Sequence, residues 1–286
     1  MKKSVAEITP INIIERFVEA QRDKGKAELT AKTYRQVIEA FSRYLNDKGG
    51  SLNALTRFDI QSYITYLEAE GRTATTLNKT FSTIRVFAKF IKRLEITDNI
   101  RLPEVRKVQH IAPKCLECNE LNNLLRKVER KNNPRDTAIV YTLLYTGVRV
   151  SELVALNRED ITISTRSGSL KVRNGKGNVA RTVPLPGEAR LYLTEYLEER
   201  EDNNPALFLS NYRKRISVRS VQHLLKKLGT YPHQLRHSYC SVLVRKGIDI
   251  ATVAELAGHS DINTTRRYSK PTAKELTEAI DKAFFS

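Results

Sequence analysis

The chain has 286 residues, 40% of them hydrophobic, and 49 Lys and Arg against 32 Asp and Glu give a formal charge of +17. That length and apolar content suit two folded domains and exclude a disordered polyelectrolyte. The longest apolar run, Ala138 to Val148, is broken by threonines and too short for a membrane helix. Cys115, Cys118 and Cys240 make no disulfide framework. The opening residues carry no signal-peptide core, so a cytoplasmic protein with no membrane partner is expected. Residues 1–110 hold 20 basic against 13 acidic side chains, and the remainder 29 against 19. Both halves are basic, so the expected partner is a polyanion that touches both, nucleic acid first.

Helical periodicity opens at Asn12 and runs to about Arg22. A second helix is expected from Thr30, taken as its cap, with Tyr34, Val37, Ile38, Phe41 and Leu45 at helical spacing until Gly49-Gly50. A third spans Arg57–Glu70 and stops at Gly71. A fourth, Thr75 to Leu94, places Leu77, Ile84, Phe87, Phe90 and Ile91 inside and Lys79, Arg85, Lys89 and Lys92 outside. Any one of those cations suits a solvated face; as a set, Lys79, Arg85 and Lys89 suit phosphate contacts. The period fades from about Thr97 to Pro113, so a helical domain over 1–100 and a linker over 101–113 are expected before a second domain at 114–286.

In that second domain, helices are expected over Cys118–Val128 and Arg135–Tyr145, after which Gly147 breaks the run and Arg149 opens the next helix. Three short β-like runs follow between Asp160 and Leu185, and Asn174-Gly175-Lys176-Gly177-Asn178 between the last two signals a hairpin turn. Taken alone, Lys176 is an ordinary solvated turn lysine. Helices resume at Glu188–Glu199 and Val218–Leu228. At Tyr231-Pro232 the proline suits a first helical turn. Beyond it Leu235, Tyr239, Val242 and Leu243 form a core-facing stripe, and His233 and Arg236 share a different face with His237 beside them. Gly247 ends this helix and Gly258 the next; His259 follows at once, and Tyr268 comes nine residues later. A last amphipathic segment, 273–285, aligns Leu276, Ile280 and Phe284. The fold class is mainly α with a small antiparallel β-sheet, in two domains.

These residues suit one chemistry. Breaking a DNA strand without metal or ATP requires a nucleophile, cations on the transferring phosphate and a proton for the leaving oxygen. A tyrosine can attack and conserve the bond energy as a phosphotyrosine ester, two arginines can clamp the non-bridging oxygens, a histidine can take the tyrosine proton, and a lysine can protonate the leaving group. One candidate for each role lies in residues 149–268.

That half resembles the catalytic domain of the tyrosine recombinases, the lambda-type integrases and Xer-type proteins. Arg149 in Thr146-Gly-Val-Arg-Val-Ser-Glu-Leu153 is similar to the family's first arginine and Glu152 to its supporting acid. Lys176 matches the hairpin lysine, His233 and Arg236 the His-x-x-Arg box, His259 the later histidine at the scissile phosphate, and Tyr268 the nucleophile. The motifs cover about Cys118 to Lys270, and the N-terminal helices resemble the family's core-binding domain more loosely. Ala257 and Tyr231 depart from the family's usual residues without touching a catalytic role. The resemblance implies a 3′-phosphotyrosine intermediate, a double-stranded DNA recombination site as substrate, and no cofactor or metal. It also implies a homotetramer in the synapse, with room for accessory DNA-bending proteins and a place at the nucleoid. The 273–285 segment is expected to dock on a neighbouring protomer. A lean two-domain chain favours Xer-like or transposon-resolution work over phage integration.

Four other readings compete. A zinc hydrolase on His233 and His237 lacks its base, because Gln234 stands beside the first histidine and cannot take a proton. Cys115 and Cys118, with His110 upstream, have metal-like spacing but no second pair. A DNA-binding module without activity explains the charge but not the filled catalytic positions. A type IB topoisomerase shares the tyrosine chemistry and is separated by assay, since it relaxes supercoils where a recombinase joins two marked sites.

Overall fold

The computed structural model describes residues 10–104 (10–12 by their backbone), 114–173, 180–259 and 261–268, with the single positions Thr277, Asp281 and Phe284. The chain divides into two compact units, Met1–Lys107 and Val108–Ser286.

In the first unit α1 (Pro10–Asp23), α2 (Glu28–Asp47), α3 (Arg57–Ala69) and α4 (Ala74–Phe90) turn their apolar stripes inward. Phe17 is fully buried and meets Tyr34, Phe87 and Phe90 at ring-centroid distances of 5.9, 5.3 and 5.5 Å. Thr56 and Asp59 form a reciprocal capping box that sets the start of α3. Thr30 is not the cap of α2. That helix begins two residues earlier behind the Gly25 turn, where Arg22 holds Glu28 in an ion pair, so Thr30 lies in its first turn. The fourth helix also stops short of Leu94. Lys92 takes the left-handed conformation at φ 59°, and a short 3-10 turn over Leu94–Thr97 buries Ile96 in place of Leu94. Lys79, Arg85 and Lys89 are exposed along α4.

In the second unit α5 (Cys118–Glu129) leads into α6 (Pro134–Thr146), whose residues Thr137 to Leu144 are all buried. It packs against α5, α8 (Gly187–Glu198), α9 (Val218–Lys227) and α10 (Pro232–Arg245). A helix buried on every side becomes the fixed axis of its domain. Asn133 caps it, Pro134 occupies its first turn, and Gly147 ends it at φ 61°. After α7 (Val150–Ala155) come β1 (Ile161–Ile163), β2 (Gly168–Val172) and β3 (Arg181–Pro184), an antiparallel meander in that order with Leu170 opposite Val183. Leu170, Val172 and Val183 face the core, while Lys171 and Thr182 alternate outward.

The stripe expected on α10 needs correction. Val242 is 38% exposed, and the buried arc runs through Gln234, Leu235, Arg236, Ser238 and Cys240. The helix lies between α6 on one side and α11 (Ile250–Ala257) on the other, so polar residues are enclosed along with Leu235. Gly258 ends α11 at φ 67°, and α12 (Asn263–Arg266) precedes Tyr268. The chain is mainly α with a small antiparallel sheet. Among the described residues no helix is long and apolar enough to cross a membrane. The Lys176 turn lies outside the described residues, as does the 273–285 segment apart from three positions, of which Phe284 is exposed.

Candidate active site

Two left-handed glycines set the site. At the end of α6 the ring of Tyr239 lies 2.2 Å from where a Cβ on Gly147 would stand, so only glycine lets the chain turn there. The turn delivers Arg149 to the start of α7 and presents the Gly147 carbonyl to Arg236 Nη1, which donates to it at 2.5 Å. At the end of α11 the Gly258 carbonyl accepts from Arg149 Nη2 at 2.8 Å. Each arginine is thus gripped by the carbonyl of a helix-ending glycine.

Glu152, 6% exposed, supports Arg149 from below. One of its carboxylate oxygens accepts from the Arg149 backbone N–H at 2.8 Å and the other from Nη1 at 2.7 Å. Arg181, on β3, binds the same carboxylate through Nη2 at 2.8 Å and Nη1 at 3.2 Å. Burial would raise the pKa of this carboxyl, but hydrogen bonds from Arg181 and Arg149 hold it below the usual range, so Glu152 is ionised. Arg236, 4% exposed, is drawn down to about 10 by burial and by the like charge of Arg149, and stays protonated at neutral pH. Its Nη2 is buried and finds no hydrogen-bond partner among the described residues.

His259 donates or accepts through Nδ1 with the buried Thr265 hydroxyl at 2.7 Å. Burial, then Arg236 and Arg149, hold it down at about 4, so the ring is neutral. In the tautomer where Thr265 donates to Nδ1, the ring proton sits on Nε2, a donor for a phosphate oxygen.

Tyr268 is half-buried against Cys240, and its hydroxyl meets His237 Nδ1 at 2.5 Å. Burial and the adjacent Cys240 push this phenol well above its usual range, so it is neutral. His237 is lowered to about 4, by burial first and then by His233, and is therefore free to accept that hydrogen bond. His233, one turn earlier on α10, is exposed, with its ring centroid 6.2 Å from that of His237.

Arg149, Glu152, Arg236, His259 and Tyr268 thus come together within one unit, with His233 at the rim. Two participants were missed from the sequence. His237 stood out only as a neighbour of the His-x-x-Arg pair, and the signal available was its position one residue after Arg236. Arg181 gave no signal, because its role depends on a carboxylate 29 residues earlier in the chain.

Comparison with known proteins bears on the family of the chain. Residues 114–275 match the phage integrase family and residues 14–95 match the phage integrase N-terminal SAM-like domain. Tyrosine recombinase XerA of Pyrococcus furiosus is 34% identical over 279 residues, covering 88% of this chain and 96% of that protein. Tyrosine recombinase XerC of Pediococcus pentosaceus is 30% identical over 297 residues, covering 96% and 97%. Among solved structures, a XerA recombinase superposes with TM-score 0.53 at 27% identity over 96% of this chain and 99% of its own. The XerH site-specific recombinase bound to difH substrate gives TM-score 0.70 at 20% identity over 97% and 85%, a likeness of fold.

Proposed function

The chain belongs to the phage integrase family and is a tyrosine recombinase, and from that premise we propose that Tyr268 attacks the scissile phosphate of a double-stranded recombination site. The attack leaves a 3′-phosphotyrosine, which the partner strand's 5′-hydroxyl later resolves. Arg149 and Arg236 clamp the non-bridging oxygens, with Glu152 holding Arg149 in place. His259 donates to the same phosphate, and Lys176 protonates the leaving oxygen. His237 orients the resting hydroxyl, and His233 takes its proton once DNA covers the rim.

The unpartnered Arg236 Nη2 carries this reading. A buried donor without an acceptor costs about 1–3 kcal/mol, more when charged. A phosphate oxygen beside Arg149 would satisfy it, so the protein alone carries a cost that the substrate removes.

The domain roles follow the same reading: 1–100 as a helical core-binding domain with Lys79, Arg85 and Lys89 on DNA phosphates, 101–113 as linker, and 114–286 as the catalytic domain. A tetramer on two sites performs the exchange, with accessory DNA-bending proteins as further partners. Near-full-length likeness to XerA and XerC proteins supports resolution of joined DNA over phage integration. A nicked suicide substrate from the protein's own genetic neighbourhood tests the core of this. The expected result is a covalent adduct that maps to Tyr268 and disappears in Tyr268→Phe while DNA binding persists. An adduct that survives Tyr268→Phe on a denaturing gel removes Tyr268 from the reaction.

A further inference from the structure

The charge count at the clamp is uneven. Arg149, Arg181 and Arg236 bring three guanidinium groups to one ionised carboxylate, Glu152, whose two oxygens between them accept two bonds from Arg149 and two from Arg181. If Arg149 alone faced Glu152, the two would form a neutral pair, and the first arginine of the clamp would bring little net charge to a phosphate. With Arg181 sharing the carboxylate, the trio keeps a net positive charge on the side of Arg149.

Arg181 is also a tie. It is 10% exposed and rooted in β3, and its Nε–H donates to the Leu256 carbonyl at the end of α11 at 3.2 Å. Its guanidinium lies directly against the Cα of Gly258, where a Cβ would come within 2.6 Å of Nη1. Gly258 supplies the carbonyl that grips Arg149, and His259 follows it. One side chain therefore joins the sheet, the supporting carboxylate, and the turn that carries a phosphate-facing histidine.

We propose that Arg181 is a positioning residue for strand cleavage: it shares the Glu152 carboxylate so that Arg149 keeps its positive charge for the scissile phosphate, and it fixes the Gly258–His259 turn beside that charge. This rests on Arg149 acting at the phosphate. Arg181 does not itself touch the DNA phosphate. It acts through Glu152 and through the turn, and its two tasks can be separated by charge.

The test is a double-variant cycle in the full-length protein, read as single-turnover cleavage of a suicide substrate with single-site DNA binding measured alongside. Arg181→Gln leaves Glu152 to neutralise Arg149 and should slow cleavage about 10- to 100-fold, the scale of a small misplacement in a preorganised site. Adding Glu152→Gln to that variant removes the unbalanced carboxylate with an isosteric group. Cleavage in the double variant should recover about tenfold relative to Arg181→Gln. A purely structural arginine predicts the opposite, a further loss on adding the second substitution, and that result overturns the proposal. Arg181→Lys keeps the charge and the stem, and serves if Arg181→Gln folds poorly: activity within about tenfold of the parent is expected, and a loss as deep as that of Arg149→Ala overturns the charge-sharing role. Arg149→Ala separates the two levels. If it cleaves normally, the clamp itself is wrong and Arg181 falls with it. If it is inactive while the double variant shows no recovery, the clamp stands and the role of Arg181 falls alone.

Discussion

Gly258→Ala, set against Gly247→Ala, separates the backbone cost of a left-handed glycine from the cost of moving one arginine. Both glycines end helices in the left-handed region, at φ +67° and +80°. An alanine there costs about 1–2 kcal/mol, which in a unit of this size lowers Tm by about 2–8 °C. A Cβ on Gly247 meets nothing within 4 Å, whereas on Gly258 it falls 2.6, 2.7 and 2.9 Å from Arg181 Nη1, Cζ and Nε. The guanidinium is the far end of a flexible side chain, so it moves and the backbone stays. Moving forfeits the bond to the Leu256 carbonyl and the two to Glu152. Gly258→Ala should therefore melt below Gly247→Ala, because a buried carboxylate loses a partner on top of the shared backbone cost, and only Gly258→Ala loses cleavage, by about 10- to 100-fold. Thermal unfolding and single-turnover cleavage of a suicide substrate read the two quantities separately. Placed in an Arg181→Gln background, Gly258→Ala should add little, because the group it displaces has gone. Equal cleavage by the two alanine variants, or a full further loss in the Arg181→Gln background, would refute the reasoning.

Arg236→Lys should cost on the order of a hundredfold in cleavage, since an ammonium cannot both donate to the Gly147 carbonyl and reach a phosphate as a fork does; full activity in single turnover contradicts the clamp. His237 and His259 are both held near 4 by burial, against about 6.5 for a free imidazole. The unfolded chain binds those protons first, so their contribution is fully present above about pH 6.5 and is lost as pH falls toward 4. His237→Gln should flatten part of that slope in a series of melting curves, and an unchanged slope contradicts the assignment. Lys176→Ala should recover on a 5′-bridging phosphorothioate, where sulfur leaves without a proton, and a defect as deep as on normal DNA gives the lysine another role. Truncation after Lys270 should spare single-site binding and abolish paired-site complexes on native gels; normal strand exchange by the truncated protein rules out docking of the tail in trans.

Much of this was legible in the sequence because it is local. Helix ends written in glycine, the apolar period of α6 and the alternation of the three strands need no distant partner. The failures are those of faces and caps. On α10 an apolar stripe through Val242 looked right by period. The helix instead lies between two others and encloses Gln234, Arg236 and Ser238, so burial follows its neighbours and not its own hydrophobicity. Thr30 had a cap's chemistry, but Gly25 and the Arg22–Glu28 pair had already started the helix. The candidate site residues stood out by motif, whereas the hydrogen bond of the Tyr268 hydroxyl to His237 and the sharing of Glu152 by Arg181 exist only once segments far apart in sequence have met. Sequence spacing lists the candidates; tertiary contact decides which histidine lies against the tyrosine.

If the two arginines act as proposed, the glycine carbonyls that grip them also set when a newly made chain becomes able to cut DNA. Arg236 reaches back 89 residues to Gly147, and Arg149 waits for a carbonyl 109 residues further on. Contacts of such long range close late, after the local helices have formed. On the ribosome the first arginine, its carboxylate and the sheet emerge well before α10, and α10 before the turn that bears His259 and Tyr268. On the proposed roles, a partial chain has neither a closed clamp nor a nucleophile, and so leaves no nicked, protein-linked strand behind if synthesis stalls. On those same roles, the capacity to cut arrives in one step, when the Gly258 turn locks onto Arg149.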